Sequence, residues 1–323
     1  MLLGMLAQAV DHLVYGVLGI SNSSGLGQAL NFFIYDSVKI LLLLFFMIMA
    51  IGFLRTYIPQ RRVKEWLSRT KFGLGHLTAA IFGAVTPFCS CSSIPIFMSF
   101  IKAGVPLGIT FSFLTTSPII NEYLVVLMLG FFGWKITALY VASGIIIGTL
   151  TGIVIGRMKL EKYLEEDMMP VEGEESGEEY KSLRGRVAFG YREATTLVRK
   201  MWLWVLLGVA IGAVIHGFIP EDAIRGVISA GGVLTVPIAT LVGVPLYANC
   251  AAIVPIAVVL FQKGVPLGTA LAFMMATSAL SLPEAIMLRR VMRIHLILIF
   301  FGTVTLAIMF TGYAFNFLQQ TIV

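Results

Sequence analysis

The sequence predicts an all-α polytopic membrane protein, built from two inverted-topology repeats whose broken or re-entrant helices meet near the bilayer midplane. Three observations predict this fold: an apolar composition, a repeat along the chain, and an opposite distribution of basic residues in its two copies. Of the 323 residues, 58% are hydrophobic and 12% are charged, whereas a soluble domain has about 25% charged residues. Mean hydropathy is +0.92. The runs Ile40–Ile58 and Ile136–Gly156 each have about the 20 residues that a membrane-spanning helix needs.

The repeat has an offset of 160 residues, at which Gly104–Gly108 (GVPLG) recurs as Gly264–Gly268. Thr116-Ser117 matches Thr277-Ser278 if one residue is inserted. Such internal similarity indicates two copies of one structural unit. Four further identities keep the ungapped offset: Gly83 with Gly243, Pro95 with Pro255, Ile96 with Ile256, and Phe113 with Phe273.

Basic residues indicate that the two copies run in opposite directions. Arg55–Lys71 contains six Lys or Arg, Arg157–Lys200 contains nine and Arg289–Arg293 contains three, together 18 of the 23 in the chain. Cytoplasmic loops carry the excess of basic residues, and the equivalent positions of the opposite copy are poor in them. We therefore predict inverted repeats, as in many secondary transporters. The predicted location is a bacterial or archaeal inner (cell) membrane, with the linker cytoplasmic and both termini outside.

Each copy is predicted to contain a long crossing helix, a hairpin that enters and leaves by one side, a crossing interrupted at a Thr-Ser pair, and a closing helix. The return arms, Ile94–Ile101 and Ile253–Phe261, are about 12–14 Å long as helices. This length favours re-entrant hairpins over arms that cross fully, although both plans give each repeat an odd number of membrane crossings. The four elements are Asn31–Ile58, Phe72–Ile101, Leu107–Gly130 and Ile136–Gly156 in the first copy, and Met201–Ile219, Val227–Phe261, Leu267–Leu288 and Ile294–Phe315 in the second.

The predicted domain organisation follows from these elements. The first repeat covers 31–157 and the second, inverted repeat covers 201–315. Residues 158–186 hold nine of the 17 acidic residues and are predicted to form an acidic cytoplasmic linker. The remaining segments are an N-terminal surface or anchor helix (1–30), an amphipathic interfacial helix (187–200) and a C-terminal tail (316–323).

The stretch Thr86–Phe97 (TPFCSCSSIPIF) places cysteines, serines and prolines in apolar surroundings. Irregular backbone at membrane depth must be buried in protein or line a wet cavity, because lipid cannot satisfy free N–H and C=O groups. Half-helix ends near the midplane are where secondary transporters bind ions and solutes. We therefore predict a transport site at this tip. The alternative is that its serines only hydrogen-bond the free backbone groups, and that the hairpin serves only to pack the helices.

The equivalent tip of the second copy is Leu246–Ala252 (LYANCAA). Inverted symmetry would bring the two tips together, and their thiols would suit a soft, thiophilic solute such as Cu(I), Zn or trivalent arsenic. The predicted substrate-binding residues are Cys89, Ser90, Cys91, Ser92, Asn249 and Cys250. The predicted helix breaks are Pro87, Pro95, Pro118, Pro255 and Pro283.

Two carboxylates, Glu122 and Glu284, lie in the interrupted crossings just past the Thr-Ser pairs. An ionisable group within a membrane span is a functional hypothesis by default. Together with Asn121, they are our candidates for proton coupling. The alternative is a structural position at a helix end near headgroups or water.

The sequence also resembles a known family. Pro87–Pro95 (PFCSCSSIP), Gly104–Gly108 and Ser117–Glu122 (SPIINE) resemble the signature of predicted bacterial permeases. This family includes YraQ-like proteins and the ArsP permeases, which export trivalent organoarsenicals. The similarity covers most of the chain outside the linker and termini. It implies a permease fold and makes Cys89 and Cys91 the leading candidates, but it does not fix the substrate.

The leading hypothesis is thus a secondary permease that moves a small thiophilic solute, in the export direction if the solute is an arsenical. The main alternative is a membrane thiol-disulfide electron shuttle, as in CcdA-like proteins, using Cys89 or Cys91 with Cys250. An ion channel is a third option. We predict no enzymatic activity, no cofactor, no resident metal and no nucleic-acid partner. The predicted partners are a small-molecule or ion substrate and the lipid bilayer, and the sequence specifies no oligomeric state.

Overall fold

The computed structural model describes residues 2–21, 24–56, 74–86, 90–165, 182–218, 234–246, 250–262 and 264–322. These residues form helices joined by short turns, with one isolated antiparallel bridge between Leu164 and Met292. Four helical stretches within them are long and apolar enough to cross a membrane: Gly25–Ala50, Leu124–Arg157, Leu267–Leu288 and Ile294–Gln319. The prediction of an all-α polytopic membrane protein is confirmed. The opposite direction of the two repeats stays a prediction.

The first half of the chain contains six of the described helices. They are α1 (Leu2–Asp11, continued by a π-helical turn His12–Val17), α2 (Gly25–Arg55), α3 (Leu74–Val85), α4 (Ser90–Lys102), α5 (Leu107–Ile119) and α6 (Glu122–Arg157). The second half contains α7 (Leu183–Phe218), α8 (Thr235–Gly243), α9 (Cys250–Gln262), α10 (Leu267–Ala279), α11 (Leu282–Leu288) and α12 (Ile294–Ile322). Thus α7 continues without interruption from the predicted interfacial helix into the first crossing of the second repeat.

Helix bounds in the two halves recur at the same offset of 160 residues. Helices α4 and α9 share it at both ends, as do α5 and α10. The turns between these pairs each use a glycine with positive φ, 75° at Gly104 and 88° at Gly264, a conformation that glycine adopts without steric cost. Even the interruption of α6 at Gly133 (φ 75°, ψ 175°) has its counterpart in the turn before α12.

This exact register contradicts the residue that was predicted to be inserted between the two Thr-Ser pairs. Because α5 and α10 have equal lengths and equivalent ends, Thr277 takes the place of Ser117. The prediction that the crossings break at these pairs is also wrong, since both pairs are helical. Their hydroxyls donate back to carbonyls four residues earlier, 2.9 Å from Thr116 to Ser112 and 2.9 Å from Thr277 to Phe273, which is compatible with a continuous helix.

The chain divides into two compact units, residues 43–201 with 288–307 and residues 1–42 with 202–287 and 308–323. Each unit contains one helix whose residues are all buried, α5 in the first and α10 in the second. Glycines allow the neighbouring long helix to approach each of them closely. A Cβ on Gly152 would overlap the Gly108 carbonyl and Ser112 Oγ, and a Cβ on Gly268 would overlap the Gly312 carbonyl. Small residues at helix crossings let backbones come together inside a membrane.

Candidate functional site

The cysteine motif of the first repeat lies where α3 ends and α4 begins. Helix α3 ends at Val85, and α4 starts at Ser90. Pro87 and Cys89 lie outside the described residues. Ser90, Cys91 and Ser92 form the first turn of α4, and the structure describes their backbone only. The motif is therefore at a helix N-terminus, where backbone N–H groups have no partner within the helix.

The second motif has the same position on its own helix. Cys250 is the first residue of α9, equivalent to Ser90 at the offset of 160. Asn249 lies outside the described residues, and of Cys250 the structure describes the backbone. Each repeat thus places a cysteine in the first turn of a helix of 13 residues. Such a helix is about 20 Å long, which is shorter than the hydrocarbon core of about 30 Å.

Two prolines that were predicted as helix breaks instead lie inside these helices. Pro95 is within α4 and Pro255 is at the equivalent position of α9, and both helices continue past them to Lys102 and Gln262. This is a correction to the prediction. Pro95 is the sixth residue of α4, past the first turn, so it costs the helix one hydrogen bond and crowds the carbonyl of Cys91, yet the helix continues. Since proline has no N–H, the carbonyl four residues earlier, on Cys91 or Ala251, loses its usual helical donor.

A buried hydrogen bond holds the first motif against the central helix of its unit. Ser93, two residues beyond Cys91, is fully buried, and its Oγ lies 2.8 Å from Ser117 Oγ on α5. At the equivalent positions of the second repeat are Ile253 and Thr277. The sequence prediction did not pair these two residues. The available signal was that Ser93 belongs to the cysteine motif and Ser117 to the SPIINE motif.

The chain break after α5 is supported by a residue that sequence reasoning did not select. Pro118 lies in the last turn of α5, and Ile120 is extended (φ −114°, ψ 91°). The hydroxyl of the buried Tyr140 donates to the Ile119 carbonyl at 3.0 Å. This bond satisfies a carbonyl that lipid could not satisfy. Asn121, 9% exposed, then starts α6 by accepting the Val125 N–H at 2.9 Å through its own carbonyl.

The corresponding break after α10 is built differently. Ser281 Oγ accepts the backbone N–H of Glu284 at 3.4 Å, in the Ser-x-x-Glu arrangement typical of a helix N-terminus. Pro283 is the second residue of α11, and both Pro283 and Glu284 are buried. The Glu284 side chain is 0% exposed, so protein surrounds it.

The two candidate carboxylates do not occupy equivalent positions. Glu122 is the first residue of α6, and its side chain lies outside the description. At the offset of 160, Glu122 corresponds to Leu282, whereas Glu284 corresponds to the fully buried Leu124. At this position the second repeat therefore has a buried acid and the first repeat has a leucine.

Apolar membrane-length helices, interrupted by short helices with polar residues at their ends, are the features of a membrane transport protein of the permease type. The comparison with known families agrees with this class. The chain belongs to the ArsP_1 family of predicted permeases, whose family model matches residues 25–317. It is also similar to the UPF0718 protein MJ0584 of Methanocaldococcus jannaschii, with 22% identity over 331 aligned positions that cover 85% of this chain and 91% of that protein. No solved structure matches the chain.

Proposed function

We propose that this permease is a secondary transporter that exports a small thiophilic solute, of the class of trivalent organoarsenicals or soft metal ions, by alternating access. The observation that carries the proposal is the position of the cysteine motifs. Each repeat starts a short helix with a cysteine in its first turn: Cys91 is the second residue of α4, and Cys250 is the first residue of α9. Together the two tips carry the three thiols of the chain.

The chemistry of the tips suits a soft electrophile. Thiol sulfur is the protein ligand that soft ions prefer, whereas serine and asparagine oxygens are hard ligands. A helix N-terminus favours negative charge, so a complex with thiolate ligands would be stabilised there. Pro95 and Pro255 add carbonyl oxygens without helical donors in the same first turns. In this proposal Cys89, Cys91 and Cys250 bind the solute, while Ser90, Ser92 and Asn249 complete the polar shell.

The support of the first tip is rigid, as a binding site requires. The hydrogen bond between Ser93 and Ser117 ties α4 to α5, and α5 is buried along its whole length. Phe97 on α4 also packs against Phe111 on α5, with ring centroids 5.1 Å apart. We propose that α4 and α5 move together during transport, so that access to the tip changes without distortion of the tip itself.

We further propose that Glu284 couples transport to proton movement. A buried acid within an apolar span is a typical proton carrier of membrane transporters. Glu284 lies at the N-terminal turn of α11, directly after the break in the chain. Asn121 and Glu122 begin the equivalent helix of the first repeat and are the second coupling candidates.

Transport of trivalent phenylarsenical into everted membrane vesicles would test the proposal. We expect Cys89→Ser, Cys91→Ser and Cys250→Ser each to reduce transport at least about tenfold, since serine supplies no soft ligand. Ser143→Ala, on α6 away from the motif, is the control for a lost or altered hydroxyl and should transport normally. Unchanged transport in all three cysteine variants would contradict thiol ligation.

The same preparations distinguish the electron-shuttle alternative. A permease should bind its solute with all three thiols reduced. A shuttle should accumulate a disulfide between Cys250 and Cys89 or Cys91, together with mixed disulfides to thioredoxin. Alkylation of free thiols followed by mass spectrometry measures both outcomes, and recovery of that disulfide during turnover would contradict the permease assignment of the cysteines.

A further inference from the structure

The N-terminal part of α7 presents an open groove on its surface. The groove has a volume of about 510 Å³. Its apolar side chains are strongly exposed for a folded protein, with 68% for Leu183, 47% for Val187 and 55% for Tyr191. The groove follows one face of the helix through residues Leu183, Arg184, Val187, Ala188, Tyr191 and Arg192. We call this surface the α7 groove.

Contacts with α2 place the α7 groove at the edge of the membrane. Tyr191 packs edge-on against Phe45, with ring centroids 5.7 Å apart, and Phe45 belongs to the apolar span Gly25–Ala50. At the other end, Arg186 donates to the carbonyl and hydroxyl of Thr56 at 2.8 and 3.1 Å, and Thr56 follows Arg55, the charge that ends the uncharged stretch 40–54 of α2. The groove therefore extends across the level at which the apolar span of α2 ends.

Glycines allow α7 and α2 to pack closely beside the groove. A Cβ on Gly190 would lie 3.2 Å from the Phe53 nitrogen and would also meet the Met49 carbonyl, and a Cβ on Gly52 would lie 3.0 Å from the Gly190 Cα. The two helices are thus in closest contact along this stretch and run antiparallel. A tyrosine and arginines at such a boundary are typical of the membrane–water interface.

The charges of the groove are all positive. Arg184 and Arg192 are exposed, and within the part of the chain that the structure describes neither guanidinium forms an ion pair. The nearby acid, Glu193, faces α2, where its Oε2 would lie 3.0 Å from a Cβ on Gly52. The two arginines are eight residues apart, or about 12 Å along the helix.

We propose that the α7 groove is a binding site for anionic phospholipid. Arg184 and Arg192 bind lipid phosphate, and Val187 and Tyr191, on the membrane side of Arg184, contact the glycerol backbone and the first acyl carbons. An arginine near an anionic membrane surface strengthens the binding of anionic lipid. Where the hydrocarbon begins, less water is present to solvate a guanidinium. A lipid phosphate supplies the hydrogen-bond partner there instead. The site does not depend on the identity of the transported solute.

Native mass spectrometry of the full-length protein would test this site, with phosphatidylglycerol titrated against phosphatidylcholine. We expect the protein to retain phosphatidylglycerol preferentially. The double variant Arg184→Gln/Arg192→Gln should bind it about ten- to thirtyfold more weakly. The matched control, Arg157→Gln/Lys159→Gln, removes the same charge at exposed positions near the end of α6 and should bind it like the wild type.

Two results would overturn the proposal. The first is an equal loss of phosphatidylglycerol in the groove variant and in the control, which would show only a general effect of charge. The second concerns the acidic segment 166–181, which precedes α7 and holds seven carboxylates. In one variant these carboxylates are replaced by amides and the arginines are kept; in the other only the arginines are replaced. If the first variant binds more lipid than the wild type and the second binds the same amount, the groove is covered by the chain's own linker.

Discussion

Replacement of Tyr140 by phenylalanine tests how the break after α5 is stabilised. The substitution removes one hydroxyl and leaves the ring in place. In the wild type, this hydroxyl donates to the Ile119 carbonyl at 3.0 Å, and both residues are fully buried. The next helix starts at Glu122, so no regular helical N–H replaces the lost donor. We expect the break to lose its lateral support.

The expected cost of Tyr140→Phe can be bounded from two sides. Leaving a buried acceptor without its partner costs about 1–3 kcal/mol in soluble proteins. Hydrogen bonds between membrane helices contribute about 0.6 kcal/mol on average and about 1.7 kcal/mol at most. The bond here lies in a fully buried position, so we expect a decrease of about 1 kcal/mol in the free energy of unfolding.

Unfolding in mixed micelles with increasing dodecyl sulfate would measure this decrease. Tyr163→Phe is the matched control, because its ring stacks on His295 at 5.6 Å and its hydroxyl makes no hydrogen bond to another described residue. The control should change the free energy of unfolding by less than about 0.5 kcal/mol. If Tyr140→Phe behaves like the control, the argument that the Ile119 carbonyl requires this donor is wrong.

Two further substitutions test the packing and the proposed coupling. Gly152→Ala should destabilise the protein by about 1–3 kcal/mol, because its Cβ would overlap the Gly108 carbonyl. The control Gly130→Ala, where a Cβ meets nothing within 4 Å, should be neutral or slightly stabilising. The same micelle titration compares the two variants, and equal effects would contradict the close approach of the helices at Gly152. Glu284→Gln should abolish solute accumulation driven by a proton gradient and preserve solute exchange without a gradient, both measured in proteoliposomes, and full proton-driven accumulation would exclude Glu284 as the proton carrier.

The two repeats stabilise the same backbone with different side chains. The first supports the break after α5 with Tyr140, whereas the second has Phe300 at that position and uses Ser281 in the break itself. The second repeat also caps the start of α10 with side chains of α12. Gln319 accepts the Leu267 N–H at 2.8 Å, and Asn316 accepts the Thr269 N–H at 3.3 Å. Equivalent backbone positions therefore do not guarantee equivalent chemistry.

This asymmetry bears directly on the candidate site. Glu284 is a buried acid without a counterpart at the equivalent position, Leu124. The Ser93–Ser117 hydrogen bond supports only the first tip, since Ile253 occupies the other. A transporter with two such halves would have one tip held more rigidly and one break that carries an ionisable group. The proposed assignment of solute binding to the tips and proton coupling to Glu284 follows this division.

Hydropathy and the repeat were sufficient to predict the class and much of the helix plan. An apolar run of membrane length predicts a helix that spans the lipid, because a helix satisfies its own backbone hydrogen bonds there. The GVPLG repeat also predicted the offset at which α5 and α10 begin, but the residue inserted before their Thr-Ser pairs was wrong. The predictions failed where a residue's effect depends on its exact place in a helix. Pro95 and Pro255 lie within helices that continue past them, and Thr116 bonds back to its own helix.

By itself, the sequence determined that this protein is an α-helical membrane protein with two related halves and a cysteine motif in each, because composition and identity at a fixed offset require no knowledge of contacts. Only the tertiary structure decided which polar groups meet. Tyr140 reaches Ile119 over 21 residues, and Ser93 reaches Ser117 over 24. Such pairings depend on how helices pack against one another, and side chains that meet across a helix interface leave no periodic signal along the chain.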